Sequence, residues 1–222
     1  MVVIPARAGS KRVIDKNNQK IGDMTLVEWA IEYALTTFPR NKIVLVTDSE
    51  ESKSSGKRYG ISVLDRPTEI SGDYSSTESV VEYVYNKFPC ENYVLLQPTS
   101  PFRKKSDLEL CLQNFEELNV NSVMSMAKPW NSLKDLYIAE NETEFTFQPK
   151  SISNETSADN CYFDTGAIYV FSMEILNKDK VIVDPNHSYG VKVNQMSFFD
   201  IDYPFQLSLA NAYYQIFGWS WN

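Results

Sequence analysis

The chain has 222 residues, of which 43% are hydrophobic and 23% are charged, a balance typical of one globular domain and not of a disordered segment. A formal net charge of −8 argues against a general nucleic-acid-binding role, because phosphate backbones attract basic proteins. A single histidine, and three cysteines without metal-ligand spacing, argue against Ser-His-Asp catalysis and a zinc site, so any metal would be held by oxygen ligands, as magnesium is. The sequence shows neither an export signal nor the run of about 18 apolar residues that spans a membrane, and we expect a cytoplasmic protein with no membrane or nucleic-acid partner.

Short apolar strands alternate with amphipathic helices along the first half of the chain. Strands are predicted for residues 2–5, 42–46, 61–64, 93–96 and 120–126. Helices are predicted for residues 24–38 and 50–59, and capping boxes formed by Ser75 with Glu78 and by Ser106 with Glu109 predict the starts of two more. Apolar strands between amphipathic helices indicate a parallel sheet covered on both faces, so we predict an α/β fold in three layers with a mainly parallel central sheet.

The pattern changes in the second half of the chain. Residues 128–160 are polar and contain only short strand-like pieces at 136–138 and 145–147. We interpret them as an insertion arm of a single domain that spans residues 1–222, serving either as a lid or as a dimer contact. A strand is predicted for residues 162–171, and a last helix for residues 204–217, where Gly218 stops it.

A basic loop follows the first predicted strand. It carries five of the 21 basic residues of an acidic protein, namely Arg7, Lys11, Arg12, Lys16 and Lys20. A loop between a strand and a helix offers backbone N–H groups to an anion, and arginine and lysine add charge-assisted hydrogen bonds. The loop could therefore hold a triphosphate, although it is not a Walker A loop and a solvated basic loop is the alternative.

A polar segment with two prolines, residues 95–103, stands at the end of another predicted strand. The prolines fix the backbone, so that the polar side chains Gln97, Thr99, Ser100 and Arg103 can be held in position. Ligands bind beyond the carboxyl ends of the strands in such sheets, and both this segment and the basic loop fall at such ends. A rigid turn before the next helix is the alternative interpretation.

Two aspartates precede the last predicted helix. Asp200 and Asp202 are two positions apart, so in extended chain their carboxylates lie on one side and can share a hard cation. Acidic residues near a helix start also favour the helix dipole, which is the alternative. The glycine of the segment 164–169 either lets a ligand approach the backbone or relieves a bend before a core strand.

Taken together in this order, the motifs resemble those of the bacterial CMP-sialic acid synthetases, the acylneuraminate cytidylyltransferases, over nearly the whole chain. Ile4-Pro5-Ala6-Arg7-Ala8-Gly9-Ser10-Lys11 resembles the opening phosphate loop of the family, and Lys16-Asn17 resembles its closing pair. The other matching segments are Gly72-Asp73-Tyr74-Ser75-Ser76-Thr77, residues 95–103, Gly166-Ala167-Ile168-Tyr169 and Asp200-Ile201-Asp202.

This resemblance implies a Rossmann-like three-layer nucleotidyltransferase fold, the reaction of CTP with a nonulosonic acid to give the CMP-sugar and pyrophosphate, a magnesium cofactor and a homodimer. The catalytic residues that it implies are Arg7, Lys11, Lys16 and Asp202. The implied nucleotide-binding residues are Ala6, Arg7, Ser10, Lys11, Lys16, Asn17, Arg66 and Ser76. The implied sugar-binding residues are Gln97, Thr99, Ser100, Lys134 and Tyr169, and the implied metal ligands are Asp200 and Asp202.

Two segments depart from the family pattern. Ile14-Asp15 stands where a proline and a non-acidic residue usually precede the Lys-Asn pair. Tyr162-Phe163-Asp164-Thr165-Gly166 replaces the usual Tyr-Arg-X-Asn-Gly, and both Asp164 of this turn and the run Ser10-Lys11-Arg12 look more like the pseudaminic acid branch. Pseudaminate, legionaminate and octulosonate therefore stay open as alternative substrates, and so does a catalytically silent nucleotide-sugar-binding subunit.

Overall fold

A sheet of seven strands forms the centre of the computed structural model, which describes residues 1–72, 75–129, 137–139, 145–147, 161–184 and 187–222. The strands are β1 (Val2–Ala6), β2 (Lys20–Ile21), β3 (Met24–Thr25), β4 (Ile43–Thr47), β5 (Ser62–Asp65), β6 (Asn92–Leu96), β7 (Ser122–Ala127), β8 (Tyr137–Ala139), β9 (Phe145–Phe147), β10 (Phe163–Ser172) and β11 (Ser188–Lys192). The helices are α1 (Leu26–Leu35), α2 (Glu50–Tyr59), α3 (Thr77–Tyr85), α4 (Lys105–Leu118), α5 (Met173–Asp179) and α6 (Pro204–Phe217).

The central sheet has the strand order β11-β7-β10-β6-β1-β4-β5. Strand β1 runs parallel to β4 and β6, β4 runs parallel to β5, and β11 runs parallel to β7. Only β10 is antiparallel to its neighbours β6 and β7 within the described sheet. The mainly parallel sheet confirms the prediction from the alternating pattern, and the reversed strand brings the start of β10 to the edge where β6 ends.

The two faces of the sheet are covered by different helices, because successive side chains of a strand point to opposite faces. Val2 and Ile4 of β1 pack with apolar residues of α1 and α4, whereas Val3 packs with residues of α3 and α5. All three side chains are fully buried, and each such burial stabilises the fold by about 2 kcal/mol. The result is the three-layer arrangement that the sequence predicts.

Helix boundaries follow the local capping chemistry. Helices α2 and α6 have the predicted bounds, and Gly218 follows α6 with a φ of 65°. Helix α1 is shorter than predicted, because Thr25 caps it: the Thr25 hydroxyl accepts from the Glu28 N–H at 3.2 Å, and the Glu28 carboxylate accepts from the Thr25 N–H at 2.8 Å. The chain ahead of Thr25 is therefore free to form the β2–β3 hairpin.

Both predicted capping boxes are shifted from their sequence positions. Helix α3 is capped by Ser76, whose hydroxyl accepts from the Ser79 N–H at 3.2 Å, and not by Ser75. Helix α4 begins at Lys105, ahead of the predicted cap at Ser106, and the Asp107 carboxylate accepts from the backbone N–H of Lys104 at 3.1 Å. Both predicted boxes are therefore wrong, because Ser75 stands one residue ahead of the observed cap of α3 and Ser106 lies inside α4.

The predicted arm is described only in part. Strands β8 and β9 pair antiparallel, which confirms strand character near the two predicted pieces. Lys134 lies outside the described residues.

A third apolar cluster fixes the end of the chain to the rest of the domain. Trp29 of α1 and Phe102 pack with Ala210 of α6 and with Ile201 just ahead of that helix. The Ile201 N–H donates to the Thr99 carbonyl oxygen at 2.9 Å, which ties the late aspartates to the segment after β6. None of the helices in the described part of the chain is long and apolar enough to cross a membrane.

Candidate functional site

The carboxyl ends of β1, β4 and β6 meet at one edge of the sheet, as parallel strands require. Arg7 follows β1, Asp48 follows β4 and Gln97 follows β6. The Ala8 N–H donates to Asp48 Oδ1 at 2.7 Å, which anchors the basic loop to the neighbouring strand. The two segments singled out in the sequence therefore share one edge.

A cavity of about 440 Å³ opens at this edge, and we call it the basic cavity. The cations that line it are Arg7, Lys11, Arg12, Lys16 and Arg66. Its polar uncharged lining includes Ser10, Asn17, Ser75, Thr77, Gln97 and Thr99. A volume of this size suits a small ligand, and five cations in a net acidic protein select an anionic one.

The basic loop is closed by a short 3-10 turn, Lys16–Asn18. Asn17 Nδ2 donates to the carbonyl oxygen of Arg7 at 2.9 Å, so the closing pair holds the loop backbone. Asp15, the unexpected acid, has a φ of 49°, and its Oδ1 accepts from Asn18 Nδ2 at 2.8 Å. The Asp15 carboxylate thus stabilises the turn through this hydrogen bond.

Asp202 lies against the cations of the basic cavity. Lys16 Nζ donates to Asp202 Oδ1 at 2.9 Å, and Arg12 Nη2 lies 3.1 Å from Asp202 Oδ2. The Arg12 guanidinium also stacks on Tyr203, 4.9 Å from the ring centroid. Residues that are almost two hundred positions apart in the chain therefore meet beside the basic cavity.

Asp200 is enclosed next to Asp202. Its Oδ1 is buried without a hydrogen-bond partner in the described part of the chain. Burial raises the pKa of the Asp200 carboxyl above its usual range, and the charge of Asp202 adds to the rise. A hydrogen bond with Thr99 and the positive charges of Lys16 and Arg103 lower this pKa and offset part of the rise. A buried carboxylate oxygen without a donor is chemically suited to a cation.

Arg103 holds the segment after β6 from inside the protein. Its side chain is fully buried, Nε donates to the Ala167 carbonyl oxygen at 3.0 Å, and Nη2 donates to the Gln97 carbonyl oxygen. Burial lowers the pKa of Arg103 to about 10, while the Tyr33 ring stacks 5.3 Å from its guanidinium. Arg103 therefore positions Gln97 and does not reach the cavity.

A smaller cavity of about 250 Å³ adjoins the basic cavity, with Thr77 and Gln97 in the walls of both. We call it the acidic cavity, because its charged lining is Glu78 and Asp164. Tyr169, for which the resemblance implies a sugar-binding role, lines it too. Beyond Asp164 and Tyr169 lies an apolar groove of about 820 Å³ along α6.

Most of the predicted site residues come together. Those that line the basic cavity are Arg7, Ser10, Lys11, Lys16, Asn17, Arg66, Gln97 and Thr99. Four others line neither of the two cavities nor the apolar groove: Ala6 is buried within β1, Ser76 caps α3, Ser100 is buried with no hydrogen-bond partner for its hydroxyl among the described residues, and Asp202 contacts Lys16 from outside the basic cavity. Their neighbours Ser75 and Thr77 line the cavity instead of Ser76, since the helix begins one residue later than predicted.

Sequence reasoning missed two charged residues of the site, Asp48 and Glu78. Asp48 could have been found, because it stands two positions after a predicted strand and so close to the binding edge. Glu78 was interpreted only as part of a capping box. Arg12 and Asp164 lie in segments that the sequence analysis singled out, but neither was assigned a role of its own, and the meeting of Asp164 with Glu78 depends on the reversed direction of β10.

Comparison with known proteins adds independent findings. A family model described as cytidylyltransferase matches residues 1–216 of the chain. An N-acylneuraminate cytidylyltransferase of Escherichia coli O18:K1:H7 is 27% identical over 215 residues, which are 95% of this chain and 51% of that relative. A pseudaminic acid cytidylyltransferase of Campylobacter jejuni is 25% identical over 224 residues, with 97% of this chain and 96% of that relative covered. The chain thus spans about half the length of the first relative and nearly all of the second.

The fold is also similar to that of solved structures. A CMP:2-keto-3-deoxy-manno-octonic acid synthetase in complex with CTP superposes with a TM-score of 0.70 at 18% identity, and 97% of this chain and 98% of that chain are covered. At this identity the likeness shows a shared fold. The Rossmann-like cytidylyltransferase fold that the motifs implied is therefore confirmed.

Proposed function

The chain belongs to the cytidylyltransferase family, and from this premise we propose that it transfers the cytidylyl group of CTP to a sialic-type sugar acid. The observation that carries this proposal is the basic cavity, which is lined by cations of the amino-terminal loop, one of which, Lys16, donates a hydrogen bond to Asp202. The products are the CMP-sugar and pyrophosphate. The names of the relatives support a sugar acid of the neuraminate, pseudaminate or legionaminate type.

The charge of the cavity suits a nucleoside triphosphate. Arg7, Lys11 and Lys16 lie on the loop that would hold the phosphates, and Asn17 keeps that loop in shape through its bond to the Arg7 carbonyl oxygen. Hydrogen bonds from charged donors are about twice as strong as neutral ones and aim the anion as well as attract it. We infer that these side chains stabilise the charge that develops on the departing pyrophosphate.

The transfer forms one bond and breaks two. The anomeric hydroxyl oxygen of the sugar acid attacks the α-phosphorus of CTP, its O–H bond breaks with release of the proton to water, and the bond from that phosphorus to the oxygen bridging to the β-phosphate breaks as pyrophosphate leaves. Such chemistry needs little covalent help, so positioning and charge stabilisation provide most of the catalysis. Gln97 stands where the basic and acidic cavities meet, and we propose that it contacts the sugar acid there.

We propose magnesium as the cofactor and Asp200 and Asp202 as its protein ligands. The donor set fits, since it consists of oxygen atoms and includes the unpartnered buried Oδ1 of Asp200. Within the described residues, no group of three or more His, Cys, Asp and Glu side chains could hold an ion by itself. When bound, magnesium would neutralise charge on the phosphate oxygens.

We further propose a homodimer in the cytoplasm. Helix α6 exposes apolar side chains next to the apolar groove, with Phe205 65% and Ile216 72% accessible. Apolar surface of this kind is typical of protein contacts, and a second copy of the chain is the partner we propose for it. The cytoplasm is the compartment that supplies CTP.

The experiment that tests the proposed activity is pyrophosphate release from CTP and Mg²⁺ with a panel of N-acetylneuraminate, pseudaminate, legionaminate and 3-deoxy-octulosonate. We expect release with at least one of these acids and none when the sugar acid is left out. Binding of CTP without release for every acid would overturn the proposal and favour a silent binding subunit.

A further inference from the structure

The charged side chains that line the acidic cavity are negative, whereas those that line the adjoining basic cavity are positive. Its charged lining within the described residues consists of Glu78 and Asp164, and no lysine or arginine stands in its wall. The remaining lining is aliphatic apart from Thr77, Gln97 and Tyr169. A ligand that occupies both cavities therefore meets cations at one end and carboxylates at the other.

The Asp164 carboxylate is held in a fixed orientation. Tyr169 donates its hydroxyl to Asp164 Oδ2 at 2.6 Å, and the Gly166 N–H donates to Asp164 Oδ1 at 2.9 Å. Gly166 has a φ of 69°, a conformation that favours glycine and that returns the chain toward the carboxylate. Burial, and then the charge of Asp164, raise the pKa of Tyr169, so its hydroxyl stays a donor. Each carboxylate oxygen keeps a further lone pair as an acceptor.

The direction in which a sugar acid lies follows from these charges, and this step rests on the proposed function. The anomeric hydroxyl has to reach the α-phosphorus in the basic cavity. The sugar carboxylate is bonded to the anomeric carbon, so it stays on the side of Lys16 and Arg12 and away from Asp164. The end of the sugar remote from its carboxylate then points into the acidic cavity.

We propose that Asp164 is a specificity-determining residue that accepts a hydrogen bond from a donor group on the end of the sugar acid remote from its carboxylate. Hydroxyl, amide N–H and ammonium groups are favoured there, and apolar groups are disfavoured. A site that pairs with a donor favours the ligand that carries it, because the Asp164 carboxylate, which is exposed in the structure, loses its contact with water when a sugar covers it.

The test takes the sugar acid that gives the fastest pyrophosphate release and compares it with analogues that each lack one hydroxyl or amide N–H on the carbons remote from the carboxylate, and with one that carries an ammonium there. Dissociation constants from titration calorimetry and kcat/KM values are measured for the wild-type protein and for Asp164→Asn, which keeps the side-chain shape. We expect at least one deoxy analogue to bind the wild-type protein about 10-fold more weakly than the parent sugar. In Asp164→Asn this difference falls below about threefold, any advantage of the ammonium is lost, and the affinity for CTP is unchanged.

Two further variants complete the design. Asp23→Asn changes an exposed aspartate in the β2–β3 turn and should leave every ratio as in the wild-type protein. Tyr169→Phe removes the hydroxyl that fixes Asp164 and should reduce the same selectivity in part, which keeps the idea testable if Asp164→Asn does not fold.

The possible results separate this inference from the proposed function. If the wild-type protein turns over a sugar acid but Asp164→Asn weakens every analogue by the same factor, Asp164 has only a structural role and the inference is wrong. If Asp164→Asn also lost affinity for CTP, this too would show that Asp164 has only a structural role. Failure of the wild-type protein to bind any sugar acid would contradict both the inference and the proposed function.

Discussion

Replacing Lys16 by methionine is the most informative perturbation of the basic cavity. Lys16 lines that cavity, its side chain is only 16% exposed, and its Nζ lies 2.9 Å from Asp202 Oδ1. A charge-assisted hydrogen bond contributes about 1.5 to 3 kcal/mol net, which corresponds to a factor of about 10 to 100 in affinity. The variant also leaves Asp202 with one cation fewer beside an incoming triphosphate, so we expect the upper part of this range.

The assay is calorimetric titration of CTP into Lys16→Met, Lys16→Arg and Lys87→Met. Lys87 is an exposed lysine just after α3 and serves as the matched control with an unchanged affinity. Lys16→Arg keeps the charge and should recover most of the binding. An affinity of Lys16→Met within twofold of the wild-type protein would refute the reasoning, because it would mean that the phosphates do not lie beside Lys16.

Three other predictions concern the metal pair, the buried arginine and the core. Asp202→Asn should lower kcat by about 100-fold and shift the Mg²⁺ titration of activity to higher concentration; full activity at the wild-type Mg²⁺ midpoint would argue against a metal role. Arg103→Met should lower the free energy of unfolding by about 2 kcal/mol or more in urea denaturation, because it leaves two carbonyl oxygens without their donor. Gly56→Ala should cost about 1 to 3 kcal/mol in the same assay, since its Cβ would stand 2.6 Å from Val63 Cγ2, whereas Gly9→Ala, with nothing within 4 Å, should be neutral.

The sequence predicted the parts of the fold that depend on local pattern. Apolar runs gave six of the seven strands of the central sheet, but not β11, and helical spacing of apolar residues gave the helix that became α1. The direction of β10 could not be predicted, since an apolar run has no direction until its neighbours are known. The same reversal brings Asp164 to the edge where Gln97 stands. The acidic cavity was therefore invisible in the sequence.

Site residues could be predicted where a charged side chain also stands next to the end of a predicted strand or helix. Lys11, Lys16 and Asp202 combine charge with a place next to a strand or helix end, and the structure brings Lys16 and Asp202 into contact. Arg103 shows the opposite case, because its type suggests a ligand contact while its full burial makes it a support for Gln97. Residue type alone cannot distinguish these two outcomes, since burial depends on how distant segments pack.

One measurement tests the cytidylyl transfer itself. The protein is incubated with CTP labelled at the α-phosphate, with Mg²⁺ and with the sugar acid that gives the fastest pyrophosphate release. We predict that the label moves into a compound that contains the sugar acid, with one pyrophosphate formed for each labelled product. Label that remains in CTP, or that appears only as free CMP, would contradict the assignment of the basic cavity to sugar activation.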